Sequence, residues 1–218
     1  RIQVELVKLL MSDHPELMQD ACELGITRVI LPEWDAMVGV EQHTPHHKYD
    51  VAGHTLCAMK NVKKDKILRL TMLLHDMGKP QMKTTDESGV DHFKGHALVS
   101  EEIARKILRR LKFDNDTVKK VTRLVCYHDY RIEATPRNVR RAMNRIGVEL
   151  FPYYLAVRMA DVKAQSPYQR RKKIENIVEM REIYQEILIS DQAVTLRQLS
   201  VSGKDLLQLG MRPGKQIG

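Results

Sequence analysis

The chain has 218 residues, 43% of them hydrophobic, enough apolar material to bury a core without disulfides or a structural metal. Its three cysteines, Cys22, Cys57 and Cys126, are odd in number and widely spaced, which excludes a disulfide framework or zinc ribbon and fits a reducing cytoplasm. No apolar run approaches a bilayer span, the first residues lack the apolar core of a signal peptide, and a formal charge of +8 points to a polyanionic partner, RNA or DNA.

Helical apolar periodicity dominates and strand-like alternation is nearly absent, so the expected fold is mostly α, a helical bundle with a small β-hairpin and additional C-terminal helices. Ile2, Val4, Leu6, Leu9 and Leu10 mark a first helix. Pro15, after Ser12 and Asp13, opens a second that closes near Gly25, and Leu31-Pro32-Glu33 breaks the pattern. Asp50 starts a helix through Val51, His54, Leu56, Cys57 and Met59; residues 64–76 form the next, and the chain breaks at Gly78-Lys79-Pro80. Residues 86–90 read as a hairpin turn, after which helices are expected over 96–112, 114–128, 136–147, 148–165 and 167–189. Basic residues cluster at 105–112, 137–145 and 170–173. Any one cluster reads equally well as a solvated helix face; their sum favours nucleic acid.

His75 and Asp76 close the apolar run that begins at Lys66, and an imidazole beside a carboxylate can reach one divalent cation while leaving an oxygen free for another. His54 upstream and His96, His128 and Asp161 downstream supply further ligands on separate segments. Each has a plainer explanation. His54 reads as a hydrogen-bonded core histidine, His96 as the start of a helix, and His128 as a helix end favoured by the dipole. Asp161, in an apolar helical stretch, needs a partner, because burying a bare carboxylate costs several kcal/mol. Asp114 with Asp116 reads as a helix cap, Asp129 beside His128 as incidental, and His43, His46 and His47 as pocket lining. Lys79 either holds a phosphate oxygen or is a solvated loop lysine.

The order His, His-Asp, His, His, Asp resembles the HD superfamily of metal-dependent phosphohydrolases. The resemblance implies one or two divalent ions (Mn, Fe, Co, Ni, Zn or Mg) held by His54, His75, Asp76, His96, His128 and Asp161, with Asp76 as the bridge and Asp76 and Lys79 as catalytic residues. A closer likeness covers most of the chain. Leu31-Pro32-Glu33, Gln42, residues 47–51, His54-Thr55-Leu56, 74–80, 83–89 and 92–96 are similar to the C-terminal HD region of bacterial CCA-adding tRNA nucleotidyltransferases and their poly(A) polymerase relatives. Residues 201–206 with Gly210, Pro213 and Gly214 resemble their distal tRNA-binding segment.

The implied layout is an N-terminal helical segment over 1–40, an HD domain over 41–165, and a truncated C-terminal helical segment over 166–218 as a candidate RNA-binding region. The chain starts without Met and stops at Gly218 in what reads as mid-unit, so a fragment of a longer protein is expected. Nothing in it resembles the nucleotidyltransferase head of that family, so nucleotide addition is expected only of a longer parent. Two functions remain open. One is phosphohydrolysis of cyclic nucleotides or small phosphate esters; the other is a tRNA-binding module whose metal site is structural or vestigial. Binding of a nucleotide without cleavage is a third.

Overall fold

The computed structural model describes residues 1–190 and 203–211. Four short helices open the chain, α1 (Ile2–Met11), α2 (Leu17–Glu23), α3 (Ile26–Ile30) and α4 (Pro32–Asp35). The second expected helix is α2, which closes just before Gly25 as expected, and α3 is an additional one. Gly25 turns into the left-handed region at φ 73° and separates α2 from α3, a conformation glycine adopts without steric cost. Leu31 breaks the helix as expected, at φ −151°, but Pro32 then starts a new one at its first position, where a missing N–H costs nothing.

Next come α5 (Val51–Lys60), α6 (Lys66–Leu74) and the single turn α7 (Lys79–Met82), then the hairpin of β1 (Thr84–Thr85) and β2 (Asp91–His92), then α8 (His96–Arg110) and α9 (Asn115–Tyr127). The strands pair antiparallel, Thr84 with His92 and Thr85 with Asp91. The last elements are α10 (Pro136–Ile146), α11 (Phe151–Ala164), α12 (Arg170–Ile189) and α13 (Gly203–Gln208). Helices α11 and α12 start later than their periodicity suggests, because Gly147 at φ 111° and Gln169 at φ 52° interrupt the backbone. Of the segment compared above with a distal tRNA-binding region, Val201, Ser202, Pro213 and Gly214 lie outside the described residues.

Capping sets where the central helices begin. Asp50 accepts from the Gly53 amide at 2.8 Å, Asp65 from Leu68 at 3.0 Å and Asp114 from Thr117 at 2.8 Å, each satisfying an otherwise orphaned donor. Asp114 is therefore a cap, as its position indicates. The Thr117 amide and hydroxyl hold its carboxyl down at about 2. Because that folded-state value lies below the unfolded one near 3.9, the cap's contribution is fully present above pH about 4 and is lost as the pH falls through about 2. Asp114→Asn, which keeps an acceptor without a titrating proton, should flatten that part of the acid-unfolding curve followed by circular dichroism.

Two buried clusters share α11 as their wall. Leu68, Leu70, Met72, Leu73 and Leu74 of α6 meet α1, α5, α8 and α9 in the first, to which α11 adds Val157, Ala160 and Ala164. Phe151, Tyr154, Leu155 and Val162 of the same helix pack with α10 and α12 in the second. A helix that is apolar over most of its circumference is buried over most of it, and α11, exposed only at Pro152 and Lys163, is that helix. Any charge it carries inward must therefore be matched by neighbours.

Candidate metal centre

Five helices each bring a ligand to one place. The Asp50 cap fixes the register of α5 so that His54, its fourth residue, turns inward. His75 and Asp76 follow the last turn of α6, where the chain stays helical long enough to bury both. His96 is the first residue of α8, His128 closes α9, and Asp161 sits in the middle of α11. The plainer readings of His54, His96 and His128 are correct as local descriptions. Tertiary packing then does what no single segment shows: all six residues are buried and face one another.

Asp76 is the hub. Its Oδ2 lies 3.2 Å from His75 Nε2 and 3.7 Å from His54 Nε2, and its Oδ1 lies 3.4 Å from His96 Nε2 and 3.5 Å from His128 Nε2. Two triads result, His54–His75–Asp76 and Asp76–His96–His128, each with donor atoms within 4.8 Å of one another. Asp161 stands beside the first triad, its Oδ1 3.0 Å from His54 Nε2.

The imidazoles are oriented by a repeated device. His75 Nδ1 lies 2.6 Å from the Met72 carbonyl, His96 Nδ1 2.7 Å from Phe93, and His128 Nδ1 2.7 Å from Val125, each three residues back. That contact assigns a proton to Nδ1 and turns Nε2 toward Asp76 as the nitrogen that takes either a proton or a cation. His96 and His128 then face each other Nε2 to Nε2 at 3.1 Å. Two lone pairs so close repel unless a proton or cation lies between them. His75 Nε2 and Asp76 Oδ1 are likewise buried without a hydrogen bond of acceptable geometry, while Asp76 Oδ2 has the Lys79 ammonium 2.7 Å away. Orphaned acceptors of this kind, all nitrogen and oxygen, fit a divalent cation.

Electrostatics agree with that donor set. Burial pushes the Asp76 carboxyl up, but the neighbouring His75 and Lys79 override it and hold it well below the usual carboxylate range. Asp161 follows the same pattern, burial being outweighed by His54 and Arg158. Both are acceptors at neutral pH. His47, packed edge-on against His54, is pushed down to about 3 by burial and by Lys79, so it lines the site as a neutral ring.

The solvated reading of Lys79 is overturned. As the first residue of α7 it is only 5% exposed, with Nζ 2.7 Å from Asp76 Oδ2 and 2.7 Å from Gln42 Oε1. Three further residues support the centre: Gln42 belongs to the likeness described above, whereas Gln165 and Arg158 belong to no motif read in the sequence. Gln42 holds Lys79; Gln165 donates to Asp161 Oδ2 at 3.0 Å; Arg158 Nη1 donates to the His128 carbonyl at 3.2 Å and lies 3.6 Å from Asp161 Oδ2. Only the four-residue spacing of Asp161 and Gln165 could have suggested one of them. Asp129 is taken up by Arg131 at 2.8 Å, and His43 by Glu41 and Asp91 at 2.8 and 2.9 Å. His46 and His47 line an open cleft of about 780 Å³ together with Asp76, His96, His128 and Asp161.

Fold and site together define a mostly helical domain with a buried His–Asp cluster able to hold a metal. Residues 45–184 match the HD domain, and the chain belongs to that family. Residues 1–38 match the probable RNA and SrmB-binding site of polymerase A. The whole chain aligns with an A-adding tRNA nucleotidyltransferase of Deinococcus radiodurans, 30% identical over 227 residues and 51% of that protein. It aligns equally fully with a CC-adding tRNA nucleotidyltransferase of Thermus thermophilus, 31% identical over 226 residues and 50% of that protein. A multifunctional CCA protein of Actinobacillus pleuropneumoniae is 26% identical over 188 residues, covering 79% of this chain and 45% of that protein. The resemblance to this group is thus shown along the full sequence, although the chain spans about half the length of these relatives. Among the described residues, no helix is long and apolar enough to cross a membrane.

Proposed function

We propose that the His–Asp centre hydrolyses phosphate esters with the help of one or two divalent ions, within a protein of the tRNA nucleotidyltransferase kind. The observation that carries this reading is the sharing of Asp76 between two triads, one carboxylate oxygen turned to each. His54, His75 and Asp76 would hold one ion and Asp76, His96 and His128 a second, with Asp161 completing the first set. A divalent ion held there supplies Lewis-acid stabilisation of charge on a phosphoryl group.

The chain's own residues do the rest. Lys79, fixed between Asp76 and Gln42, keeps an ammonium on the wall of the cleft, where it meets a phosphoryl oxygen without having to reorganise. Carbonyl contacts hold Nδ1 of the three rings and keep Nε2 turned inward, so an ion meets donors that are already oriented. The open cleft admits a phosphate ester from one side. A 2′,3′-cyclic phosphate at an RNA end is a substrate that would use both this centre and a basic surface. Purified protein should carry transition metal by elemental analysis and cleave bis-p-nitrophenyl phosphate. Chelation should remove at least nine-tenths of that activity, and added Mn or Ni should restore it; turnover indifferent to chelator would count against the assignment.

A specific feature also supports RNA binding. Helix α10 buries Val139, Ala142, Met143 and Ile146, and Arg137 and Arg141 stay exposed on its other side, without a partner among the described residues. Phosphate contacts release counterions, so tRNA affinity should fall at least tenfold between 50 and 200 mM salt, on the order expected for several such contacts. Filter binding measures it. An affinity insensitive to salt would remove the basic face from the account.

A further inference from the structure

We propose that the cavity between α11, α12 and the segment 129–135 is an anion site that takes a second phosphate of a nucleotide engaged at the His–Asp centre. The cavity, about 360 Å³, adjoins the metal-centre cleft, and Arg131 and Gln165 line both. Its walls carry Arg131, Arg158, Lys172 and Lys173 against a single acid, Glu133, while Tyr154 and Met180 give it an apolar side.

Not all of that charge is spent inside the protein. Arg131 pairs with Asp129, and Arg158 with Asp161 and Asp129 at 3.6 and 3.9 Å. The remainder is unmatched. Arg158 is 7% exposed, yet its Nε is buried with no hydrogen-bond partner, an expensive state for a guanidinium donor. Lys173 is held by neutral groups, Gln165 Oε1 at 2.6 Å and His46 Nδ1 at 3.2 Å. Its ammonium is pushed down by burial and next by Arg131, the sign of a local excess of positive charge. Lys172 is exposed and has no partner among the described residues. Asn176 spends both ends of its amide on the segment that carries Arg131, accepting from Ala134 and donating to Ile132, each at 3.0 Å, so the cavity wall is fixed in place.

A rigid pocket with surplus cations, an orphaned guanidinium donor and an apolar side fits a phosphate with part of a nucleoside attached. Its continuity with the cleft then sets the substrate class: nucleotides bearing a phosphate beyond the one attacked, such as nucleoside bisphosphates. That substrate assignment rests on the phosphohydrolase reading; the anion site itself does not.

Binding of adenosine 3′,5′-bisphosphate, measured calorimetrically in excess chelator, tests the site without any turnover. Lys172→Glu should weaken it at least fivefold, and Arg171→Glu, the same charge change one residue away and outside the cavity, should leave it unchanged. Equal weakening by both variants, or by neither, would overturn the site. With metal restored, KM for the bisphosphate should lie at least fivefold below that for 5′-AMP, and Lys172→Glu should erase the difference. Binding that responds to Lys172→Glu in a protein that hydrolyses nothing keeps the anion site and removes only the phosphohydrolase reading. Hydrolysis with no preference for the bisphosphate removes the second-phosphate assignment alone.

Discussion

Asp76→Ala should reduce bound metal below one-tenth of the wild-type content and lower kcat/KM for a phosphate ester by roughly 10³ or more, about 4 kcal/mol of transition-state stabilisation. The size of the effect follows from geometry: one carboxylate is the only group common to both triads, so its loss dismantles both. A second cost falls on the fold. Lys79 is buried, and without the oxygen 2.7 Å away its ammonium keeps the Gln42 carbonyl and the face of Phe93, 5.4 Å from the ring centre, but no counter-charge that close. Removing one partner of a buried ion pair costs about 3–5 kcal/mol. Asp76→Asn separates the two effects, since it preserves volume and one acceptor oxygen while surrendering the charge. It should recover most of the thermal stability and little of the metal or the activity. Should Asp76→Asn retain both metal and turnover, the shared carboxylate is not the organising group and the proposed centre fails.

How much of this was legible beforehand depends on whether the cause was local. The helices built on strong apolar periodicity, α5, α6, α8 and α9, and the hairpin around 86–90, follow from neighbours in sequence, and their positions agree with expectation within a few residues. The additional short helix α3 and the late starts of α11 and α12 do not. They turn on backbone conformations at Gly25, Gly147 and Gln169, and nothing in the pattern marks Gln169 as left-handed. Asp161 betrayed itself because a carboxylate in an apolar stretch demands a partner. Lys79 did not, since its burial depends on Gln42, 37 residues away. Asp91 is a similar case. Written as a hairpin residue, it is a buried hub accepting from the His43 amide at 2.8 Å and Thr85 at 2.7 Å while pairing with Lys83 at 2.9 Å, and so ties the hairpin to the loop that carries Gln42. Arg69, in the apolar stretch of α6, reaches the Leu10 carbonyl at the end of α1. Such long-range satisfaction of polar groups is what a single sequence conceals.

Gly78 shows the same limit most sharply, and Gly78→Ala should cost more than the same change at the other described glycines. The sequence suggests a glycine that breaks the helix, yet its backbone is helical, φ −83° and ψ −14°, where alanine is equally comfortable. The reason for glycine is proximity. A Cβ there would stand 2.5 Å from the His96 carbonyl oxygen, 2.7 Å from the Ser100 amide nitrogen and 2.9 Å from Ser100 Oγ. Two of those atoms are backbone in the first turns of α8, so no rotamer change relieves the overlap. The helix must retreat, breaking the Gly78 amide's 2.9 Å bond to Ser100 Oγ and drawing His96 away from His128 and Asp76. Overpacking of this kind costs about 3 kcal/mol, or roughly 6–12 °C in Tm for a protein of this size. Gly25→Ala is the control: it meets nothing within 4 Å and pays only for its left-handed φ of 73°, about 1 kcal/mol. Thermal unfolding should therefore rank wild type, Gly25→Ala and Gly78→Ala in descending order, and Gly78→Ala should also lose metal affinity about tenfold as His96 shifts. A Gly78→Ala protein melting within a degree of wild type would mean that α8 is not held against the His75–Asp76 turn, and that the second triad is not assembled by this contact.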